Sequence, residues 1–84
     1  MDYAIYKTLN GQYSHIVHRF LQDACNHRAK ATAQAKLNDM WLRLMQHPTL
    51  AHGATATKDE FSYDCQFSAH TTMRIRFYIA PIKQ

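Results

Sequence analysis

Thr72-Met73-Arg74-Ile75-Arg76-Phe77-Tyr78-Ile79-Ala80-Pro81 carries the reading of this chain. Met73, Ile75, Phe77 and Ile79 alternate with Arg74, Arg76 and Tyr78. A strand has a side-chain period of two, so this pattern sets four hydrophobes on one face and two guanidinium groups and a phenol on the other. One face of a sheet is then core and the other cationic. Upstream, Phe61, Tyr63, Cys65 and Phe67 alternate with Ser62, Asp64, Gln66 and Ser68, a second half-buried strand. A turn near Ala69-His70-Thr71 returns the chain, and the two strands are expected to pair antiparallel.

Working outward, Tyr3-Ala4-Ile5-Tyr6-Lys7-Thr8-Leu9 is aromatic and β-branched and is closed by Asn10-Gly11, a strong turn signal, so it reads as the first strand. Between Gln12 and His47 there is no Gly or Pro, and the composition turns to Ala, Gln, Leu, Lys and Arg, which favours helix. Tyr13, Ile16, Val17, Phe20, Leu21 and Ala24 recur at helical spacing, as do Ala33, Leu37, Met40, Trp41 and Leu44. At about 100° per residue the second stripe points well over 90° from the first, so one straight helix could not bury both on one core. The phase favours a helical hairpin, broken within Asn26–Ala31 and capped by Thr32, over one long helix whose stripes meet different partners. Pro48 is expected to end the second helix. Thr49–Thr57 reads as a connector with a weak edge strand in its Ala/Thr alternation.

The expected fold is therefore α+β: an N-terminal strand, a helical hairpin or one long helix, then C-terminal antiparallel strands, in a small sheet with helices on one face. The whole of 1–84 is expected to form a single small domain, since 84 residues leave no room for a second. Hydrophobic residues at 46% and aromatics at 12% supply a core and exclude a disordered composition. Cys25 and Cys65, 40 residues apart, show neither CxxC spacing nor the density of a disulfide scaffold, so both are expected reduced. The N-terminus lacks a basic region followed by an apolar run, and no segment approaches a spanning length; a cytoplasmic protein without membrane contact is the expectation.

Ten Lys+Arg against six Asp+Glu give a formal charge of +4, which favours anionic partners. Arg74, Arg76 and Tyr78 could contact phosphates and stack a base; the other reading pairs the arginines with Asp59, Glu60 or Asp64 of the neighbouring strand. A second basic cluster, His15, His18, Arg19, His27, Arg28, Lys30 and Lys36, is placed on the helical segment with only Asp23 to offset it. The candidate polyanion-binding residues are Arg74, Arg76, Tyr78, Lys83, Arg28 and Lys30. Six histidines would make the chain markedly more cationic by pH 5–6.

No metal site is assigned: His15-x-x-His18 sets two imidazoles on one helical turn, but no Cys pair, HExxH or familiar zinc spacing follows. Nor is a cofactor or a catalytic residue. With only Gly11 and Gly53 there is no Gly-rich phosphate loop. The one chemistry the residues could support is metal-independent RNA cleavage, from His70, Arg74, Arg76, Tyr78 and Lys83. The order strand, helical hairpin, C-terminal strands in a small basic chain resembles the RelE/ParE toxin superfamily. Leu44-Met45-Gln46-His47-Pro48 is similar to the way that family's second helix ends at a proline before the sheet. The resemblance implies a ribosome-dependent or free RNase. The expected function is nevertheless a non-enzymatic binding protein whose partner is a protein or nucleic acid. The alternatives are the toxin-like RNase, and a dimeric accessory or inhibitor that masks another protein's surface through a helix stripe or an unpaired sheet edge.

Overall fold

A computed structural model describes residues 1–22, 28–47 and 52–82, without the side chain of Phe67. The described residues form an α+β fold, with five antiparallel strands in one sheet and one helix. The strands are β1 (Tyr3–Leu9), β2 (Gln12–Phe20), β3 (His52–Ala56), β4 (Glu60–Ser68) and β5 (Thr71–Pro81), and the helix α1 (Ala29–Met45) lies between β2 and β3. The sheet order is β2-β1-β5-β4-β3. Because β2 and β3 are opposite edges of the sheet, the chain between them must cross it, and α1 makes that crossing over the apolar face.

The helical hairpin is not present: its first arm is strand β2. Asn10 and Gly11 both have positive φ, 53° and 73°, as a two-residue I′ hairpin turn requires, and the chain re-enters the sheet at once with Gln12 opposite Leu9. Asn10 also extends the ladder sideways: its side-chain oxygen accepts from the Arg74 backbone N–H at 2.7 Å, and its backbone N–H donates to the Arg74 carbonyl at 2.7 Å. The helical spacing in β2 comes from irregular pairing. The register shifts between Ile5 and Tyr6, where His18 and Ile16 are the partners and Val17 is extra, and again between Lys7 and Leu9. Such a bulge resets the alternation. Ile16 then sits across from Tyr6 while Val17 and Phe20 pack on the core, so that Tyr13, Ile16, Val17 and Phe20 imitate a helix on a strand.

The second stripe is a true helix face. Ala29, Ala33 and Leu37 are buried, and Met40, Trp41 and Leu44 pack against the same core, keeping the i, i+4, i+8, i+11 pattern. The N-cap is Arg28 and not Thr32, whose hydroxyl lies inside the helix and donates to the Arg28 carbonyl at 2.9 Å. The helix ends at Met45, with the Gln46 and His47 N–H groups closing on Arg43 and Leu44. Pro48 lies outside the described residues. The architecture on which the toxin resemblance rests, two helices after the first strand, is thus replaced by a hairpin and one helix.

The C-terminal reading holds. β4 and β5 pair from Glu60↔Tyr78 to Ser68↔Thr71 around Ala69-His70, and the weak Ala/Thr strand is β3. Ile5, Leu37 and Phe61 form the buried centre. Phe61 holds together an aromatic group, with ring centroids 5.6 Å from Trp41 and 5.1 Å from Phe77. Cys65 is a half-buried free thiol, and Cys25 lies outside the described residues. Among the described residues no helix is long and apolar enough to cross a membrane.

Candidate binding surface

β5 delivers the two-faced pattern its sequence implies. Ile75, Phe77 and Ile79 face the helix, and Arg74, Arg76 and Tyr78 stand on the open face. The register sets them in rows: Ile16, Tyr6, Tyr78 and Glu60 across β2-β1-β5-β4, then Thr8, Arg76 and Ser62, then Arg74 and Asp64 with His52 beyond. The open face therefore has an aromatic half over β2, β1 and the end of β5, and a charged half over β4 and the start of β5.

In the charged half both arginines are engaged. Arg76 donates from Nε to the Glu60 carboxylate and lies 4.4 Å from the Tyr78 ring centroid. Arg74 meets Asp64 at 3.1 Å, donates to the Ser62 hydroxyl at 2.8 Å and reaches the Gly53 carbonyl at 3.2 Å. Gly53 permits that approach: at φ +58°, an added Cβ would sit 3.2 Å from the Asp64 carboxylate. Side-chain exposures of 41–47% put these pairs in the screened regime, worth little for stability, yet each neutralises its arginine. Of the three acids weighed as partners, Asp59 goes elsewhere, accepting from Gln34 of the helix at 2.8 Å.

In the aromatic half Tyr6 and Tyr78 stack at 5.3 Å with planes 16° apart, a cross-strand pair in direct register. The Tyr78 hydroxyl shares a 3.0 Å hydrogen bond with Ser14. With Tyr6 on its ring and Arg76 over it, Tyr78 has little π-surface left for a base. Beside this pair the next row is Ala4 and Ala80, and the small Ala80 side chain lies in a groove of about 570 Å³ bounded by Tyr6, Ile16, Arg19, Tyr78, Pro81 and Ile82. Ile82 closes the end, its N–H donating to the Asp2 carbonyl at 2.9 Å. Arg19, expected on a helix, is on β2 opposite Ala4.

The other sequence-derived candidates are not brought to this face. Arg28 and Lys30 are exposed at the start of α1, on the far side of the sheet, where no acidic residue occupies the first turn to offset the helix dipole. Lys83 lies outside the described residues. His70, in the β4–β5 turn, is eight residues from Tyr78 along an extended strand, about 26 Å at the usual rise, so the RNA-cleavage set is not assembled. His15 and His18 lie on β2 rather than on one turn of helix, and among the described residues no group of three His, Cys, Asp or Glu side chains could hold a metal. Behind the charged half, burial and then the neighbouring Cys65 push the Tyr63 phenol above its usual pKa.

Tyr6, Ile16 and Ala80 are absent from the sequence-derived candidates, and Arg19 is expected there on a helix, away from the tyrosines. The signal that reaches them is Asn10-Gly11: read as a hairpin turn, it folds β2 against β1 and carries Ile16 and Arg19 to the tyrosines. Compared with known proteins, the chain matches no family model, no curated protein and no solved structure.

Proposed function

We propose that this is a non-enzymatic interaction protein that docks a partner protein on the aromatic half of its open sheet face. The observation that carries the reading is the contrast in how the arginines are used. Arg74 and Arg76 are each tied to a carboxylate of β4, which removes the pair of free cations that a polyanion site on this strand needs. The Tyr6–Tyr78 groove offers instead the mix of aromatic surface and arginine that is enriched at protein–protein contacts. Partner addition at a sheet edge is less favoured. β2 carries two register shifts, and β3 is five residues long with a shift of its own, both of which blunt an edge against pairing.

The test compares the two ends of β5 in cells, with a photo-crosslinking amino acid at Ile82, in the groove, or at Thr72, beyond the charged half. A discrete protein adduct from position 82 and none from position 72 is expected. Equal yields from both positions overturn the reading. So does single-stranded RNA binding that weakens steeply with salt and is lost in Arg74→Ala/Arg76→Ala, since that places a polyanion on the charged half.

A further inference from the structure

We infer that the groove beside Tyr6 and Tyr78 selects an acidic segment of its partner, seating an aromatic side chain in the groove and a carboxylate on Arg19. This rests on the proposal that the aromatic half docks a protein, and it names the chemistry of the segment docked. Among the described residues Arg19 is the one charged residue lining the groove. Among the described residues it has no ion pair or hydrogen bond, whereas the two other arginines of the open face each have a carboxylate.

No carboxylate of this chain is placed to take that role among the described residues. Glu60 and Asp64 serve the charged half, and Asp2, at the β1 end, accepts from the Gln22 N–H at 2.9 Å. An unpaired guanidinium beside an apolar trough is completed by a carboxylate held next to an apolar group, which it can grip with two parallel hydrogen bonds. The overall charge of +4 draws an acidic segment toward the chain before contact.

The apolar part follows from the shape. Ala80 contributes only a methyl group, while Tyr6 and Tyr78 stand beside it with their rings stacked across the strands, so the trough has an aromatic wall. A flat ring fills such a slot by meeting the edges of the stacked pair rather than their covered faces, and loses few rotamers on binding. A second copy of this chain is a poor occupant. Its aromatic half carries the same unpaired arginine, and two such grooves face to face would oppose like charges.

The experiment is a titration of the ¹⁵N-labelled full chain followed by amide chemical shifts. The probes are acetyl-Asp-Phe-Asp-amide, its neutral analogue acetyl-Asn-Phe-Asn-amide, and oligo(U). The acidic peptide is expected to shift Tyr6, Ile16, Arg19, Tyr78 and Ala80, with an affinity about fivefold or more above that of the neutral peptide. Arg19→Gln should abolish that preference and Arg19→Lys retain part of it, while the spectra of both variants report directly that the fold is intact. Equal binding of the two peptides overturns the acidic selection but leaves protein docking on this half standing. Absence of shifts with about 10 mM acidic peptide overturns the inference, as does oligo(U) shifting the same residues at lower concentration. Failure of the crosslink at position 82 removes instead the reading beneath it.

Discussion

The two halves of the open sheet face share strand β5 and each presents an arginine, yet they differ in what remains available. Over β4 and the start of β5, Arg74 meets Asp64 directly across the ladder and Arg76 meets Glu60 two residues along from its own partner Ser62, and the charges close on each other. Over β2, β1 and the end of β5, Arg19 stands beside stacked tyrosines and a trough over Ala80, with no carboxylate in register among the described residues. An arginine on a strand is thus a poor guide to a binding site until the residue opposite it is known. Pairing across a sheet decides which charges are structural and which are left for a partner.

The largest expected effect strikes both halves at once, because they share one apolar support. Phe61 is 3% exposed and touches Trp41, Tyr63 and Phe77, so Phe61→Ala should lower stability by about 3–5 kcal/mol in urea denaturation. A loss below about 1 kcal/mol would mean that the helix and sheet are held together elsewhere.

The sharpest test of the contrast is to abolish it. Glu60→Gln with Asp64→Asn should release Arg74 and Arg76 and raise the affinity for single-stranded RNA at low salt by about tenfold, with a steeper salt dependence than wild type. If fluorescence anisotropy finds the wild type binding as tightly, the ion pairs do not quench this surface.

A smaller effect probes the aromatic half. A double-mutant cycle between Tyr6→Ala and Tyr78→Ala should give a coupling of about 0.5–1.5 kcal/mol in thermal or chemical denaturation, as expected of a stacked pair in direct register. A coupling near zero would say that the two rings are neighbours without being a unit, and the groove would then lack a fixed wall.

Much of this molecule is legible in the residues, and the places where it is not have a common cause. Strict alternation in Met73–Ile79 and Phe61–Cys65 gave two paired strands with the right face inward, and Ala33, Leu37, Met40, Trp41 and Leu44 gave the buried side of the helix. Both are periodic within one element, and periodicity is a local property. The segment of β2 reads as helix because its two register shifts break the period of two, and a period broken once per few residues looks like 3.6. With β2 misplaced, Arg19 fell into a helical cluster beside Arg28 and Lys30, and the groove could not be seen.

The α+β class, the buried and open faces of β5, and the presence of Arg74, Arg76 and Tyr78 on the open one are legible in the residues alone. Only the tertiary structure decided that those arginines are neutralised, that β5 lies between β1 and β4, and that Tyr6 and Tyr78 meet beside Arg19. The reason is physical. Which face a side chain takes is fixed by the backbone of its own strand, but what stands opposite it depends on strand order and register, and these are set by packing between segments far apart in the chain.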